Sequence, residues 1–435
     1  MIFKFDKVLK NASWIVACRV IQAFLALVIN SFTARYFGPT GYGTISYAAS
    51  LVAFITPIMR LGTADILTNE IIKNPEREGE IIGTSITMTI ISSISCVLGL
   101  FTFVSIANKG DSLTITVVLL YSFLLLAQSI EQIQYWFHAK YLSKIVSITS
   151  LVAYVIISIY KIILLILQKD IYWFAASNAI DHCIIGITLV VIYNVNRGQT
   201  LKFSKAAAWQ LWKNGRHFII PELMGLVLEQ SDRLMIRFMC GESETGLYSA
   251  AISVATLTSF IFSAIIVSFR SVILEHKILD QNKYKYYITK LYGIVLYLSL
   301  AQCIFIATFG GLMVRLLFGA EYLSSIPMLK IAIWYTLFSY IGAVRTVWIL
   351  AEEQQKYLWV ISSSGMIINV ILNYILIRRF GGQGAAVATL VTQIFTNIVV
   401  VSLIKPLRQN IKYMFTSLDL RKWLRSYDEL HVEKN

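Results

Sequence analysis

Glu80 to Ala107 reads EIIGTSITMTIISSISCVLGLFTFVSIA, and after Glu80 no charged side chain interrupts it. A bilayer core about 30 Å thick needs roughly 20 apolar residues of helix, and this run supplies them. It predicts a helix that crosses a membrane. The same yardstick, carried outward, finds spans at 13–34, 43–67, 113–137, 145–167 and 171–193 around it. A second set follows at 217–239, 246–270, 287–309, 327–350, 358–377 and 384–404. The expected fold class is all-α integral membrane, with about twelve transmembrane helices. Asn108 to Ser112 and Gln168 to Asp170 leave no room for a soluble domain, and the longest connectors are 194–216, 271–286 and the tail from Lys405.

Composition agrees. The 435 residues are 57% hydrophobic and 14% charged, with a mean hydropathy of +0.67, whereas soluble domains carry about 25% charged residues. Aromatic residues at 13% suit interfacial belts of Trp and Tyr. Cys18, Cys96, Cys183, Cys240 and Cys303 lie singly, with no CxxC or Cys/His cluster that would suggest zinc or a disulfide framework. Met1 to Lys10 is polar and basic, and the apolar run after it lacks the small-residue pattern of a cleaved signal.

The net charge of +14 could point to nucleic acid, but basic residues also collect in cytoplasmic loops. With the N-terminus inside and twelve spans, the inside segments hold 25 Lys and Arg and the outside segments seven. That bias supports the span count, places both termini in the cytoplasm and removes the need for a nucleic-acid partner. The chain also repeats itself. Lys10-Asn11 recurs as Lys213-Asn214, and Gly43-Thr44-Ile45-Ser46-Tyr47-Ala48 aligns with Gly246-Leu247-Tyr248-Ser249-Ala250-Ala251 at the same offset of 203. Six helices separate the copies, so the halves share one orientation, a parallel repeat. The expected organisation is a six-helix bundle over 1–193, a cytoplasmic linker over 194–216, a second bundle over 217–404 and a cytoplasmic tail over 405–435. Lys202, Lys205, Trp209, Trp212 and Lys213 suit a linker helix lying on an anionic leaflet or a merely solvated one. The tail around Trp423 reads the same way.

Ionisable groups are costly inside a membrane and normally face a cavity or a partner. Here they include Arg19, Arg60 with Asp65, Glu131, Lys161, Asp181-His182 and Arg345. The span at 217–239 is the richest, with Glu222, Glu229, Asp232, Arg233 and Arg237. Glu222, Glu229, Arg233 and Arg237 are spaced seven, four and four, which places them on one helical stripe. Glu229 and Arg233 can pair, leaving Arg237 free towards the outer end. The stripe is either an ion-pair ladder that sets helix packing or the wall of a hydrated cavity. Arginine presents a fork matched to phosphate oxygens, so Arg19, Arg60, Arg233, Arg237 and Arg345 are the candidates for holding an anionic diphosphate. Arg60 is either a cavity group or neutralised by Asp65, and Lys161 either faces a cavity or partner or snorkels outward. Asp65, Glu222, Glu229 and Asp232 are the acids beside these arginines, and a desolvated carboxylate holds its proton more tightly.

Pro57 and Pro221 predict bends. Asn369, Asn373, Thr389, Gln393 and Asn397 form neutral polar stripes suited to interhelical hydrogen bonds. No GxxxxGK[ST], HExxH or GxSxG occurs, and the five histidines have no metal-ligand spacing. No cofactor, metal or catalytic constellation is expected.

The segment Ala34-Arg35-Tyr36-Phe37-Gly38-Pro39-Thr40-Gly41-Tyr42-Gly43, running into Ser46-Tyr47-Ala48, resembles Wzx-type O-antigen flippases. So do Asn11 to Arg19, Ser231-Asp232-Arg233-Leu234-Met235-Ile236 and Gly246 to Ala251. That family is the polysaccharide-transporter branch of the multidrug/oligosaccharidyl-lipid/polysaccharide exporter superfamily. The resemblance implies two six-helix lobes in a V, as in the multidrug exporters, around a central cationic cavity. It implies an undecaprenyl-diphosphate oligosaccharide as cargo, a proton or sodium gradient as drive, and a bacterial inner membrane as location. A polysaccharide polymerase and a chain-length regulator would be its partners. Arg19, Arg60, Arg233 and Arg237 match the basic cavity positions of the family, although Glu222 and Glu229 make this cavity mixed in sign; under the resemblance Asp65, Glu222, Glu229 and Asp232 are the candidates for coupling to that gradient. Related lipid II flippases carry more helices and a more basic cavity. Two rival functions remain. A cationic-drug exporter of the same superfamily should have an acidic cavity. A membrane polymerase or ligase should have a large outside loop, whereas the longest here is Gly310 to Pro327.

Overall fold

Helix follows from the runs of apolar residues, because a backbone in lipid must satisfy its own hydrogen bonds. The computed structural model describes residues 2–424, and among these no strand occurs. The helices are α1 (Ile2–Arg60), α2 (Ala64–Lys73), α3 (Glu78–Ala107), α4 (Ser112–Ile130), α5 (Gln134–Ala139), α6 (Ser143–Ile166), α7 (Ile171–Val195) and α8 (Lys205–Cys240). They continue as α9 (Glu242–Ala255), α10 (Ser259–Leu279), α11 (Gln281–Leu317), α12 (Ile326–Ala351), α13 (Lys356–Ile394), α14 (Val400–Leu403), α15 (Arg408–Thr416) and α16 (Arg421–Leu424).

Among the described residues nine helical stretches are long and apolar enough to cross a membrane. Two of them, Ala17–Arg60 and Lys356–Leu403, have 44 and 48 residues. At 1.5 Å per residue each would exceed about 65 Å, roughly twice the hydrocarbon core, so each holds two spans. The break lies at Gly38 (φ 64°, ψ −179°) in the first and at Gly381 (φ 57°, ψ −138°) in the second. The charged helix α8 completes the twelve. Pro57 and Pro221 lie inside continuous helix, so the dihedral break in α1 belongs to Gly38.

The parallel repeat extends to backbone geometry. Gly241, 203 residues after Gly38, separates α8 from α9 with φ 92° and ψ −175°, nearly the dihedrals of Gly38. Positive φ is cheap only for glycine, which explains the residue at both places. Each of the six connections assigned to the outside contains one left-handed residue: Gly38, Gly110, Gln168, Gly241, Gly319 and Gly381.

The chain forms two compact units, 1–237 and 238–435. The boundary falls at Arg237/Phe238, not in the 194–216 segment where a linker is expected. The reason is local: α8 runs unbroken from Lys205, and its Ala207 and Leu211 are buried. Leu211 joins the first unit's core with Ile66, Ile82, Phe137 and Tyr193. The start of α8 is therefore packed on that unit, with Trp209 left exposed. A second cluster of the same unit packs Tyr47, Val52, Leu100, Val118 and Leu125. On α3, Cys96, Val97, Leu100 and Val104 face inward, while Ile91, Ile94, Leu98 and Phe101 form an exposed apolar stripe for acyl chains.

In the second unit α11, α12 and α13 pack in series, around buried Tyr292, Trp348 and Val344. The described part of the tail packs on the second unit. Trp423 is buried and donates through Nε1 to the Ser417 carbonyl at 2.9 Å. Its indole sits against Gly293 of α11, where a Cβ would overlap the ring.

Candidate functional site

In the first unit the charged stripe of α8 faces the second half of α1. Arg233 donates through Nη1 to Gln230 Oε1 at 2.9 Å, and the same oxygen accepts from Ser50 Oγ at 3.0 Å. The expected Glu229–Arg233 pair is absent: Glu229 points to an exposed position, and the neutral amide of Gln230 takes its place. A guanidinium held by an amide keeps its full charge, and Arg233 is half-buried.

Arg237 differs. Its Nη2 lies 3.3 Å from Asp111 Oδ2, and its guanidinium stacks 5.4 Å from the centre of the Tyr47 ring. Asp111 also caps α4 by accepting from the Thr114 N–H at 3.0 Å, and the Tyr47 hydroxyl donates to Asn108 Oδ1 at 3.2 Å. Arg237 thus ties α8 to α1 and to the start of α4, and the reading that leaves it free is corrected. Glu222 is half-buried and Asp232 buried, and both have partners.

The other candidates lie apart from this stripe. Arg19 is exposed, within electrostatic reach of the His138 imidazole. Arg60 is half-buried at the end of α1, with no side-chain partner among the described residues. The side chain of Asp65 lies outside the described residues. Arg345 belongs to the second unit and is not an isolated basic group. It is buried, and its Nη1 donates to Asn397 Oδ1 at 2.8 Å and to the Thr396 carbonyl at 3.3 Å. Both acceptors sit on a π-helical turn, Phe395–Val399, a local widening that exposes backbone carbonyls. Asn397 is in turn held by Gln393 Oε1 at 3.0 Å. Asn373 donates to Asn369 Oδ1 at 3.0 Å, so these polar stripes make hydrogen bonds within the unit.

One constellation in the first unit carries chemistry that no single span shows. Glu131, where α4 ends, and His182 of α7 meet with Oε1 and Nδ1 2.7 Å apart. Asp181 is adjacent, with Oδ1 buried and unbonded, and it feels the charges of Lys161, His182 and Glu131. One turn earlier on α7, Asn178 Oδ1 accepts from Lys161 Nζ at 3.4 Å. Lys161 and Asn178 line a cavity of about 140 Å³ with Asn30, Thr33, Tyr42 and Tyr121. Lys161 therefore points inward rather than snorkelling. Two carboxyl groups, one amine and one imidazole thus come together in the first unit.

The architecture is that of known transporters. The chain is similar to a lipid II flippase, MurJ, in an inward-closed conformation, at 15% identity with a TM-score of 0.69, covering 93% of this chain and 90% of that one. It is similar to an inward-facing multidrug resistance MATE transporter of the MOP superfamily, at 14% identity and a TM-score of 0.59, covering 91% and 95%. It is also similar to a MOP superfamily transporter from Pyrococcus furiosus, described as having a binding pocket of reversed polarity, at 11% identity and a TM-score of 0.60, covering 92% and 96%. The class is therefore a multi-pass, all-α membrane protein whose fold is shared with these structures. No curated protein matches its sequence. Within that class the chain belongs to the polysaccharide biosynthesis protein family, whose profile matches residues 8–269, more than half of its length. The solved structures that share its fold are described as flippases and transporters.

Proposed function

We propose that this protein is a flippase for an undecaprenyl-diphosphate-linked oligosaccharide, an O-antigen or related repeat unit. It carries this cargo from the cytoplasmic to the outer leaflet of a bacterial inner membrane by alternating access. A polysaccharide polymerase and a chain-length regulator act on the product. The family match carries the reading, and Arg233 is its chemical centre: a half-buried guanidinium, held by neutral groups, with donors for phosphate oxygens. Arg60 and Arg19 are the next contacts. Arg237 and Arg345 act in this proposal by holding helices in place.

Coupling is to a proton gradient. Asp65, Glu222, Glu229 and Asp232 remain carboxylates for this role, but Glu131 with His182 has the stronger geometry, since a short carboxylate–imidazole contact can trap one proton. The test is flux of a labelled lipid-linked repeat unit in proteoliposomes under an imposed pH gradient, and absence of transport would sink the proposal. Export of small organic cations has one observation in its favour: Glu229 is exposed while Arg237 is neutralised. Rescue of a drug-sensitive strain separates the two.

A further inference from the structure

The first unit has a second polar cavity, of about 360 Å³, between α2 and the start of α8. Glycines bring the two elements together. Gly62 has φ +65°, and a Cβ there would collide with the Gly215 carbonyl oxygen, while one on Gly215 would lie 2.7 Å from the Leu61 carbonyl oxygen. Only two bare backbones can cross so closely.

At this crossing Lys73 faces Lys213, Arg216 and His217 across the cavity. All four are exposed, and none has a salt bridge or side-chain hydrogen bond among the described residues. The lining contains one acid, Glu70, which is 8% exposed. Its Oε2 accepts from Gln210 Nε2 at 3.0 Å and its Oε1 from Asn214 Nδ2 at 3.3 Å. The acid braces the floor and leaves the cations uncompensated by at least two charges. Three permanent cations around one hollow cost repulsion unless an anion occupies it. Phe218 lines the same cavity, and it, Ile72 and Ile220 are exposed apolar side chains beside it. A site with cations inside and apolar groups at its edge fits a phosphate whose tail stays in the bilayer.

We infer that this cavity is a lipid-phosphate headgroup site on the leaflet that the charge bias assigns to the cytoplasm, separate from the α8 stripe around Arg233. The inference goes beyond the flippase reading and does not require it, because binding is measured without transport. The phosphate can come from a resident anionic glycerolipid or from a polyprenyl diphosphate.

The experiment uses the full chain in nanodiscs of zwitterionic phosphatidylcholine, titrated with photoactivatable phosphatidylglycerol or photoactivatable geranylgeranyl diphosphate, with crosslinks mapped by mass spectrometry. Saturable crosslinking at Phe218 and its neighbours is expected with at least one of the two. The probe that crosslinks at the lower concentration identifies the source. In Lys213→Gln/Arg216→Gln the half-saturating concentration should rise about 25-fold, from two surface charges lost. Lys73→Gln on the opposite helix should raise it about fivefold, which guards against a local misfolding of α8. Equal crosslinking by photoactivatable phosphatidylcholine, or no effect of either variant, overturns the site. Full competition by inorganic diphosphate at the lipid's own concentration overturns the lipid assignment.

Discussion

If Arg237 is a tie between helices rather than a cargo ligand, its energy must be coupled to Asp111, and a double-mutant cycle measures that coupling. The atoms are 3.3 Å apart, so at an effective dielectric of about 20 the gross attraction is about 5 kcal/mol. Desolvation and side-chain ordering offset most of it. Arg237 is 12% exposed and Asp111 35%, between a surface pair worth about 0–1 kcal/mol and a buried one whose breakage costs about 3–5 kcal/mol. A net coupling of about 1–2 kcal/mol is expected. Asp111→Ala alone should cost more, about 2–3 kcal/mol, because it also removes the cap on Thr114, worth about 1 kcal/mol. Arg237→Ala should lose the Tyr47 stacking as well, about 1 kcal/mol. Equilibrium unfolding of purified single and double variants in mixed detergent micelles gives all three values. A coupling within about 0.3 kcal/mol of zero would refute the tie and return Arg237 to the ligands of the cavity.

Three further outcomes are expected. Glu131→Gln removes the acceptor at His182 and should lower gradient-driven transport about tenfold, the worth of one charge-assisted hydrogen bond, while abolishing its dependence on the pH step; an unchanged response in proteoliposomes clears Glu131 of coupling. Asn397→Leu strips Arg345 of its side-chain acceptor and should destabilise by about 3 kcal/mol, whereas adding Arg345→Met should recover much of that in the same unfolding assay. A double variant as unstable as Asn397→Leu alone contradicts the buried network. Gly62→Ala should cost at least about 2 kcal/mol, because the new methyl meets the Gly215 carbonyl at a left-handed φ; wild-type unfolding of that variant removes the crossing that builds the basic cavity.

Much of the fold is legible in the sequence because lipid imposes one simple rule, long apolar runs, and glycine punctuates it. α8 is the instructive case. Its length of apolar run marks 217–239 as a span despite the charges, and their spacing of seven, four and four puts Glu222, Glu229, Arg233 and Arg237 on one stripe. What sequence could not supply is the partner of each charge. Glu229 is four residues from Arg233, the favoured spacing for a pair, but Ser50 on α1 orients Gln230 and the amide takes the guanidinium. Glu131 and His182 are 51 residues apart and meet because α4 and α7 pack along one another, a contact no local pattern encodes. The unit boundary at Arg237/Phe238 follows from the side chains of Ala207 and Leu211, not from the composition of 194–216. Trp423 reads as an interfacial residue until Gly293 is seen to leave a slot for its ring.

Cargo flux through the wild-type protein and through Arg233→Ala decides whether α8 holds the diphosphate. Purified protein in proteoliposomes, given a fluorescent undecaprenyl-diphosphate oligosaccharide and an imposed pH gradient, should move the label between leaflets. Arg233→Ala should reduce the rate at least about tenfold, the loss of one charged hydrogen-bonding contact to phosphate, with its unfolding unchanged. Equal flux in the variant, or none in the wild-type protein, contradicts the account.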